Sequence, residues 1–298
     1  MTEMELFLDF AKGGQRKFLL RLKKEAGVTW REMSRIFEVN RSMVFFYLDE
    51  SSKLPYKRVL LLRKKKGISL AGYNLKKIER PGNKTIEIKK PKLTKKLAEF
   101  LGILAGDGCV CETNSEISVT CSALVDKNYA EKHVGKLFAR LFGVKPTILI
   151  RGTGITCRIY SKKLKEFLAK KQGFPVGNRK NRTFIPKRIR KNKKLLSCYL
   201  RGLFDTDGSV YGRRKNSIVI NYTSYSGKFL EQIKKSLMAL GFSPCLSGNS
   251  IFIYNQKQAD LFFKKIKPKN LKHIAKYKIF KKTGAVPSYQ ESIELMRP

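Results

Sequence analysis

The amino-acid sequence predicts a mixed α/β protein built from two copies of one αββαββα unit, preceded by an all-α N-terminal domain. Three observations support this prediction. The stretches "EFLGILAGDGCV" (99–110) and "YLRGLFDTDGSV" (199–210) share one layout of apolar turn, Gly, Asp, Gly and a small or apolar exit. The elements predicted after each stretch follow in the same order. The first 66 residues instead show the spacing of helices.

Composition favours a polyanionic partner. The chain has 298 residues, with 64 Lys and Arg against 23 Asp and Glu, and a net charge of +41. Nucleic acid is the first partner that such an excess suggests. A lysine-rich thermophile surface is the alternative, but it would carry more acids as well.

Other sequence features bear on where in the cell the protein acts and on whether it holds a zinc site. No apolar run is long enough to cross a bilayer, and the acidic N-terminus lacks the basic start of a signal peptide. We therefore expect an intracellular protein without a membrane partner, cytoplasmic in a prokaryote (archaea included) or organellar. Six cysteines without a CxxC pair and only two histidines argue against a zinc module.

The N-terminal domain, residues 1–66, is predicted to be helical. Apolar side chains from Leu6 to Leu22 recur with helix-like spacing, with an interruption at Gly13-Gly14. A last helix, from Tyr56 to Lys66, follows Pro55.

Residues 29–50 resemble a helix-turn-helix. Thr29 and Glu32 have the spacing of a capping box for a first helix, and Asn40 can cap a second one. Glu38 stands at a turn position where helix-turn-helix regulators favour glycine. A three-helix packing module without DNA contact is the alternative. The resemblance implies that the start of the second helix faces the major groove, through Asn40, Arg41, Ser42 and Phe45.

The rest of the chain divides by composition and by repetition. A Pro-Gly-Asn turn and the alternating "KTIEIKK" predict a linker with a small β hairpin before the repeats. Corresponding positions of the two repeats are offset by 100 residues at the Asp pair and by 94 at Tyr160 and Tyr254. The predicted boundaries of N-terminal domain, linker, repeat 1, basic connector, repeat 2 and basic C-terminal extension are 1–66, 67–92, 93–176, 177–194, 195–267 and 268–298.

The shared Asp ends the first helix of each repeat. Gly102 in one helix and Gly202 in the other each have a small residue four positions later, so each helix presents one slim face that permits close approach. If these faces pack together, Asp107 and Asp207 meet and repel each other at two helix C-termini. A divalent cation would remove that cost. Mg²⁺ commonly uses one or two carboxylates, and a pair of ions supports in-line attack on a phosphodiester.

The stretches "FLGILAGDG" and "LRGLFDTDG" resemble the two motifs of LAGLIDADG homing endonucleases in their single-chain form. The resemblance implies a monomer with internal pseudo-two-fold symmetry, in which the motif helices form the central interface. It also implies two saddle-like antiparallel sheets laid along the major groove of double-stranded DNA. Inteins of the family carry the same module, but the chain begins with Met and lacks a terminal His-Asn, so we expect an intron origin rather than an intein. The implied activity is Mg²⁺-dependent cleavage of both strands at a long site, with Mn²⁺ or Ca²⁺ as substitutes for binding.

The resemblance assigns roles to individual residues. Asp205 has Ala105 as its counterpart and is not expected to be essential. The family places a lysine near the end of the last strand of each repeat, and a solvated lysine is the alternative for those positions. The implied site consists of Asp107 and Asp207 as catalytic and metal-binding acids, Gly106 and Thr206 as carbonyl ligands, and Lys163 and Lys257 as catalytic cations.

Candidates for DNA contact lie on the predicted strands and in the connector. Strand alternation turns half of the strand residues toward DNA, and the sequence leaves the register open. Arg188 and Arg190 of the connector are expected to follow phosphates, with a solvated linker as the alternative. The strand candidates are Glu112, Asn114, Glu116, Arg151, Thr153, Arg158, Tyr211, Arg213, Arg214, Lys215, Asn221 and Asn249.

Two functions remain open at this stage. The first is a metal-dependent, site-specific DNA endonuclease. The second is a non-cleaving protein on the same scaffold, either a DNA-binding regulator or an RNA maturase. Both acids are present, which favours the nuclease, because a protein that only binds has no need to hold two repelling carboxylates together.

Overall fold

The computed structural model describes residues 6–79 and 88–296. The chain forms two compact units that divide between Lys84 and Thr85, within the predicted linker 67–92. No helix in the described ranges is long and apolar enough to cross a membrane.

The N-terminal unit combines a two-stranded antiparallel ribbon with four helices. Its core contains side chains from all four helices, among them Leu19, Met33, Val44 and Leu62. The elements are β1 (Leu6–Asp9), α1 (Gly14–Ala26), α2 (Trp30–Ile36), α3 (Arg41–Leu48), α4 (Tyr56–Lys66) and β2 (Lys76–Glu79).

The capping box and the turn predicted for this unit are confirmed. Thr29 accepts a hydrogen bond from the Glu32 amide at 3.2 Å, and Glu32 accepts one from the Thr29 amide at 2.7 Å, which completes the capping box. Glu38 adopts a φ of 53° at the turn, the left-handed region in which glycine is favoured. Asn40 is the N-cap residue of α3 as predicted, but its side chain makes no capping hydrogen bond.

The helix predicted from the spacing of Leu6 and its neighbours is wrong for Leu6–Asp9. This segment is a strand, and Leu8 is fully buried. Its partner is Lys76–Glu79, about 70 residues later, with Phe7 opposite Ile78. Long-range pairing overrides the local helical spacing here, as is common for short apolar segments.

The second unit contains the two repeats. The elements of repeat 1 are α5 (Lys95–Asp107), β3 (Gly108–Val110), β4 (Glu116–Ser122), a π-helical stretch Tyr129–Val134 that continues into α6 (Gly135–Phe142), β5 (Thr147–Arg151), β6 (Gly154–Tyr160) and α7 (Lys162–Glu166), which continues into a π-helical stretch, Phe167–Lys171. The later elements are α8 (Lys187–Arg190), α9 (Lys193–Asp207), β7 (Gly208–Tyr211), β8 (Val219–Thr223), α10 (Gly227–Ala239), β9 (Cys245–Ser247), β10 (Ser250–Tyr254), α11 (Gln256–Lys265), α12 (Leu271–Thr283) and α13 (Tyr289–Met296).

The predicted fold class is confirmed by the order of these elements and by their sheets. Each repeat forms a four-stranded antiparallel sheet, in the order β3-β4-β6-β5 in repeat 1 and β7-β8-β10-β9 in repeat 2. The two orders correspond strand for strand. Both motif helices run directly into the first strand of their own sheet, so each Asp lies at a helix-to-strand junction.

Burial fixes the strand register that the sequence left open. In β6 the side chains of Ile155, Cys157 and Ile159 are buried under the helices, so that Arg158 and Tyr160 belong to the opposite face. Alternation in β8 and β10 likewise leaves Asn221, Thr223, Phe252 and Tyr254 on the face away from the helices. We call these two faces the outer sheet faces.

The segments around the repeats differ in part from expectation. Residues 80–87 lie outside the described residues, and this range includes most of the turn and strand predicted for the linker hairpin. Ile88–Lys90 are not in a strand, and the Lys89 amide donates to the Phe142 carbonyl at 3.0 Å. The C-terminal extension forms helices α12 and α13 and contributes buried Asn270 to the unit.

Candidate active site

Helices α5 and α9 contact each other backbone to backbone. A Cβ atom added to Gly102 would lie 2.0 Å from the Tyr199 carbonyl oxygen, and one added to Gly202 would lie 2.1 Å from the Glu99 carbonyl oxygen. Only glycine permits this approach. The predicted packing of two slim helix faces is therefore confirmed.

A buried ion pair crosses the same interface. Arg201 of α9 donates to the Glu99 carboxylate of α5, and His133 lies 2.8 Å from the other oxygen of that carboxylate. Glu99 is almost completely buried, which by itself would raise its pKa, but His133 and Arg201 hold the pKa below its ordinary value. The pair thus contributes a charged contact between the two repeats.

Asp107 and Asp207 are the last residues of the two packed helices. A Cβ atom added to Gly106 would lie 2.0 Å from Thr206 Oγ1 and 3.3 Å from Asp207 Cγ. The end of α5 therefore abuts the Asp207 carboxyl group directly. Thr206 Oγ1 donates to the carbonyls of Gly202 and Leu203 at 3.1 and 3.0 Å, which holds its side chain against its own helix.

The pKa values of both acids reflect this crowding. Burial, and after it the negative charge of Asp107, raise the pKa of Asp207 to about 7. Burial also raises the pKa of Asp107 to about 6, against a lowering by Lys272. Two half-buried carboxyl groups that repel each other form a site that favours a cation.

We expect these two acids to make the metal-free protein less stable as the pH rises. Their native pKa values lie above the ordinary value of 3.8, so between pH 4 and 7 the folded state binds more protons than the unfolded chain, and stability falls with pH. Asp207→Asn removes this effect at one site, and it should stabilise the protein by about 4 kcal/mol at pH 8 but by little at pH 4.

Thermal unfolding in EDTA at several pH values, followed by circular dichroism, measures this difference. A stability difference between wild type and variant that is the same at pH 4 and pH 8 would contradict the assignment. Comparison at each pH is needed because acids such as Glu99, whose pKa is lowered, have the opposite pH dependence.

Two cations from outside the repeats act on the acid pair. Lys272, from α12, lowers the pKa of both Asp107 and Asp207, and its ammonium group lies 3.0 Å from the Asp126 carboxylate. Arg179, from the connector, also lowers both pKa values. Its guanidinium group donates to three carbonyls at the end of α5, those of Leu104, Ala105 and Gly106, at 2.6, 3.0 and 3.0 Å.

Asp205 has a structural position. It is 1% exposed, and its carboxylate accepts hydrogen bonds from the amides of Lys269 and Asn270 at 2.9 to 3.1 Å. The Asn270 side chain donates both to the Asp205 carbonyl at 2.9 Å and to the Asp126 carboxylate at 2.7 Å. Asn270 thereby connects the two repeats, and Asp205 anchors the start of α12.

The predicted lysines lie in the helices that follow the last strands. Lys163 is half-buried in α7 and borders a surface pocket that also contains Lys90 and Lys170. Lys257 is exposed in α11. Their catalytic role stays a prediction.

Sequence reasoning missed the two cations that act on the acids. One signal could have found them. Pro175 lies at the end of repeat 1 and Pro268 just after repeat 2, at an offset of 93 residues. Arg179 and Lys272 have the same offset, close to the 94 between Tyr160 and Tyr254.

The predicted DNA-contacting residues are spread over several surfaces. Arg158 and Asn221 lie on the outer sheet faces, and Arg151 ends β5. The Arg158 guanidinium lies 5.5 Å from the ring centre of Tyr160, and that of Arg213 lies 5.5 Å from the ring centre of Tyr254, the corresponding tyrosine. Glu116 and Tyr211 are half-buried. The exposed predicted residues include Arg213, Arg214 and Lys215 after β7, Arg188 and Arg190 in α8, and Asn40, Arg41, Ser42 and Phe45 in the N-terminal unit.

The oxygen atoms at this site suit a hard divalent cation that takes its remaining ligands from water and substrate phosphate. The site offers two carboxylates and the backbone oxygens of two helix ends, including the Gly106 carbonyl. Within the part of the chain that the structure describes, no group of three or more His, Cys, Asp or Glu side chains could hold a metal. Mg²⁺ suits such a set, because it keeps several waters and often binds substrate phosphate. A cleft of about 570 Å³ borders Gly106, Arg179 and Asp207 and leaves room for these ligands.

Part of the chain is similar in sequence to a known protein family. Residues 195–274 match the family model described as a LAGLIDADG-like domain. Over 166 residues the chain is 28% identical to the alpha subunit of ribonucleoside-diphosphate reductase NrdEB of Bacillus subtilis (strain 168) and equally to that of Bacillus phage SPbeta. The match covers 52% of this chain, and the chain spans only 15% of the length of these relatives.

Solved structures of homing endonucleases are similar to the chain over more than half of its length. Mesophilic variants of I-DmoI match with a TM-score of 0.43 and 19% identity, over 58% of this chain and 95% of theirs. I-SmaMI, bound to uncleaved DNA in the presence of calcium, matches with a TM-score of 0.41 and 12% identity, over 69% of this chain and 98% of its own.

Repeat 1 has the same order of elements as the matched region and ends its motif helix at the corresponding Asp. Residues 195–274, which hold Asp207, are therefore similar to a LAGLIDADG-like domain, and repeat 1 shares their order of elements.

Proposed function

We propose that this protein is a site-specific endonuclease that cuts both strands of a long DNA target by metal-dependent phosphodiester hydrolysis. One observation carries the proposal: two carboxyl groups are held together at the ends of two backbone-packed helices, in a chain with a net charge of +41. Apposed acids destabilise the protein, and a bound cation offsets that cost. A polyanion that brings phosphate to this cation is the partner that the charge favours.

Asp107 and Asp207 would hold the divalent ions, with Mg²⁺ as the physiological choice. When bound, such ions polarise a phosphodiester and stabilise the attacking and leaving oxygens. Lys272 is placed to stabilise charge on the phosphate, because it acts on both acids and is fixed by Asp126. For Lys163 and Lys257 the support comes from their alignment with the lysines of the family.

The outer sheet faces supply the proposed DNA surface. They carry polar and aromatic side chains in a regular alternation, and Arg158 and Asn221 are suited to base edges. Arg151, Arg213, Arg214 and Lys215 at the strand ends, and Arg188 and Arg190 in the connector, are suited to phosphates.

The N-terminal unit would lengthen the contacted site. In α3 the side chains of Arg41, Ser42 and Phe45 and the preceding Asn40 are all exposed, and Arg41 lies 5.8 Å from the ring centre of Phe45. An exposed N-terminal half of the second helix is the surface that a helix-turn-helix presents to the major groove.

Cleavage of a plasmid library tests the proposal. The full chain is incubated with plasmids that carry a randomised insert, in Mg²⁺, Mn²⁺, Ca²⁺ or EDTA. We expect linear products with Mg²⁺ and Mn²⁺ whose ends share one sequence, and intact plasmid with EDTA. Cleavage in EDTA at the rate seen with Mg²⁺ would contradict the metal site.

The same assay separates the alternatives. A DNA-binding regulator would enrich one sequence by tight binding and leave it intact in Mg²⁺ and Mn²⁺. An RNA maturase would retain a structured RNA in preference to duplex DNA in a competition gel shift. Either result would replace the nuclease proposal.

A further inference from the structure

Arg179 occupies the carbonyl end of α5. The last carbonyls of a helix lack partners within the helix and lie at the negative end of its dipole. The Arg179 guanidinium group donates to three of them in a row, including the Gly106 carbonyl. A planar guanidinium group presents its donors on a rigid fork that reaches neighbouring carbonyls together, whereas an ammonium group presents its three donors from a single point.

The connector fixes Arg179 at this place. The Gly177 amide donates to the Val110 carbonyl at 2.9 Å, which attaches the start of the connector to β3. The Arg179 carbonyl accepts from the Arg182 amide at 2.9 Å, so a tight turn follows. The side chain of Arg179 therefore leaves an anchored backbone and extends to α5.

The end of α9 is bound differently. Lys272 has the corresponding sequence position, but its ammonium group binds the Asp126 carboxylate. The Asp205 carbonyl of α9 is bound by the neutral Asn270 side chain. The fork of hydrogen bonds from a cation to three successive carbonyls is thus a feature of the Asp107 helix.

We propose that Arg179 is a resident cation of the acid pair that competes with a divalent ion for the Gly106 carbonyl. This inference rests on the metal site of the proposed function. In the metal-free protein Arg179 neutralises the end of α5. When an ion takes the Gly106 carbonyl, Arg179 releases that oxygen, and the adjoining cleft of about 570 Å³, which Arg179 also lines, gives the guanidinium group room to withdraw.

Binding of Mn²⁺ to the full chain without DNA tests the competition, with free Mn²⁺ measured by electron paramagnetic resonance. Arg179→Met should bind Mn²⁺ about tenfold more tightly than wild type, because both the rival donor and its charge are gone. Arg179→Lys keeps the charge but loses the fork, and we expect an intermediate gain. The control is Lys180→Met, which removes the neighbouring exposed cation that lines the same cleft.

Thermal unfolding provides a second readout. Arg179→Met should have a lower melting temperature than wild type in EDTA, since the end of α5 loses its partner, and Mn²⁺ should raise that temperature more than it does in wild type. An equal gain in affinity for Lys180→Met and Arg179→Met would overturn the proposal, because a general charge effect would then suffice. Unchanged or weaker Mn²⁺ binding by both Arg179 variants, or no binding by any protein at millimolar Mn²⁺, would overturn it too.

These results are independent of cleavage. If Arg179→Met binds Mn²⁺ more tightly and the library stays intact, the inference stands and the nuclease proposal fails. If wild type cuts DNA and the Arg179 variants bind Mn²⁺ no better, the nuclease proposal stands and the inference fails.

Discussion

Replacing Asp207 with Asn is expected to slow DNA cleavage by about 10³-fold or more, which corresponds to about 4 kcal/mol of lost transition-state stabilisation. The amide has almost the same shape as the carboxyl group but carries no charge, so the site loses half of its anionic ligands. We expect the same loss for Asp107→Asn. Single-turnover cleavage of the sequence selected from the library measures the effect.

A control must separate chemistry from binding. Glu231→Gln makes the same chemical change on an exposed face of α10, and it should cleave like wild type. Gel shifts in Ca²⁺ should show that Asp207→Asn still binds the selected DNA within a few-fold of wild type. If the Asn variants of both acids retain full cleavage, the acid pair is not the metal site.

Gly102→Ala is expected to destabilise the second unit by about 3 kcal/mol. The added methyl group would lie 2.0 Å from the Tyr199 carbonyl oxygen, which belongs to the backbone of a packed helix and cannot rotate away. The two motif helices would have to separate, and the acid pair would separate with them. We therefore expect a loss of cleavage that is larger than the loss of folded protein explains.

Two optical signals report the two units. The only tryptophan of the chain, Trp30, lies in α2 of the N-terminal unit, so its fluorescence follows that unit. Far-ultraviolet circular dichroism follows both. Gly102→Ala should lower the urea concentration at the midpoint of the main dichroism transition. The midpoint of the Trp30 fluorescence transition should not change. The control Gly227→Ala also lies in a helix but has no atoms within 4 Å of the added methyl group, and it should be neutral or slightly stabilising.

Local rules predicted the elements whose signals are local. The capping box at Thr29 and the Tyr56–Lys66 helix are found at their predicted residues, because caps and prolines act over three or four positions. The repeats were visible because two motif helices need the same small residues for the same close contact. The Leu6–Asp9 strand was missed because its partner lies far along the chain.

The candidate site was predictable in its acids and not in its cations. Asp107 and Asp207 stand out because acids are few in this chain, whereas Arg179 and Lys272 are two among 64 Lys and Arg. Only the tertiary structure distinguishes the cations that reach the acid pair from those that are solvated. The strand register needed burial for the same reason.

The double contact of Asn270 bears on how such proteins can be recombined. Its amide group binds Asp126 of repeat 1 and the Asp205 carbonyl of repeat 2, so the short stretch from Lys269 to Lys272 belongs to both halves at once. A chimera that exchanges repeat 2 at residue 267 would pair a foreign repeat 2 with the native stretch Lys269–Lys272. A crossover after α12 would keep this stretch with repeat 2, and repeat 1 would then need an acid at position 126 that matches it.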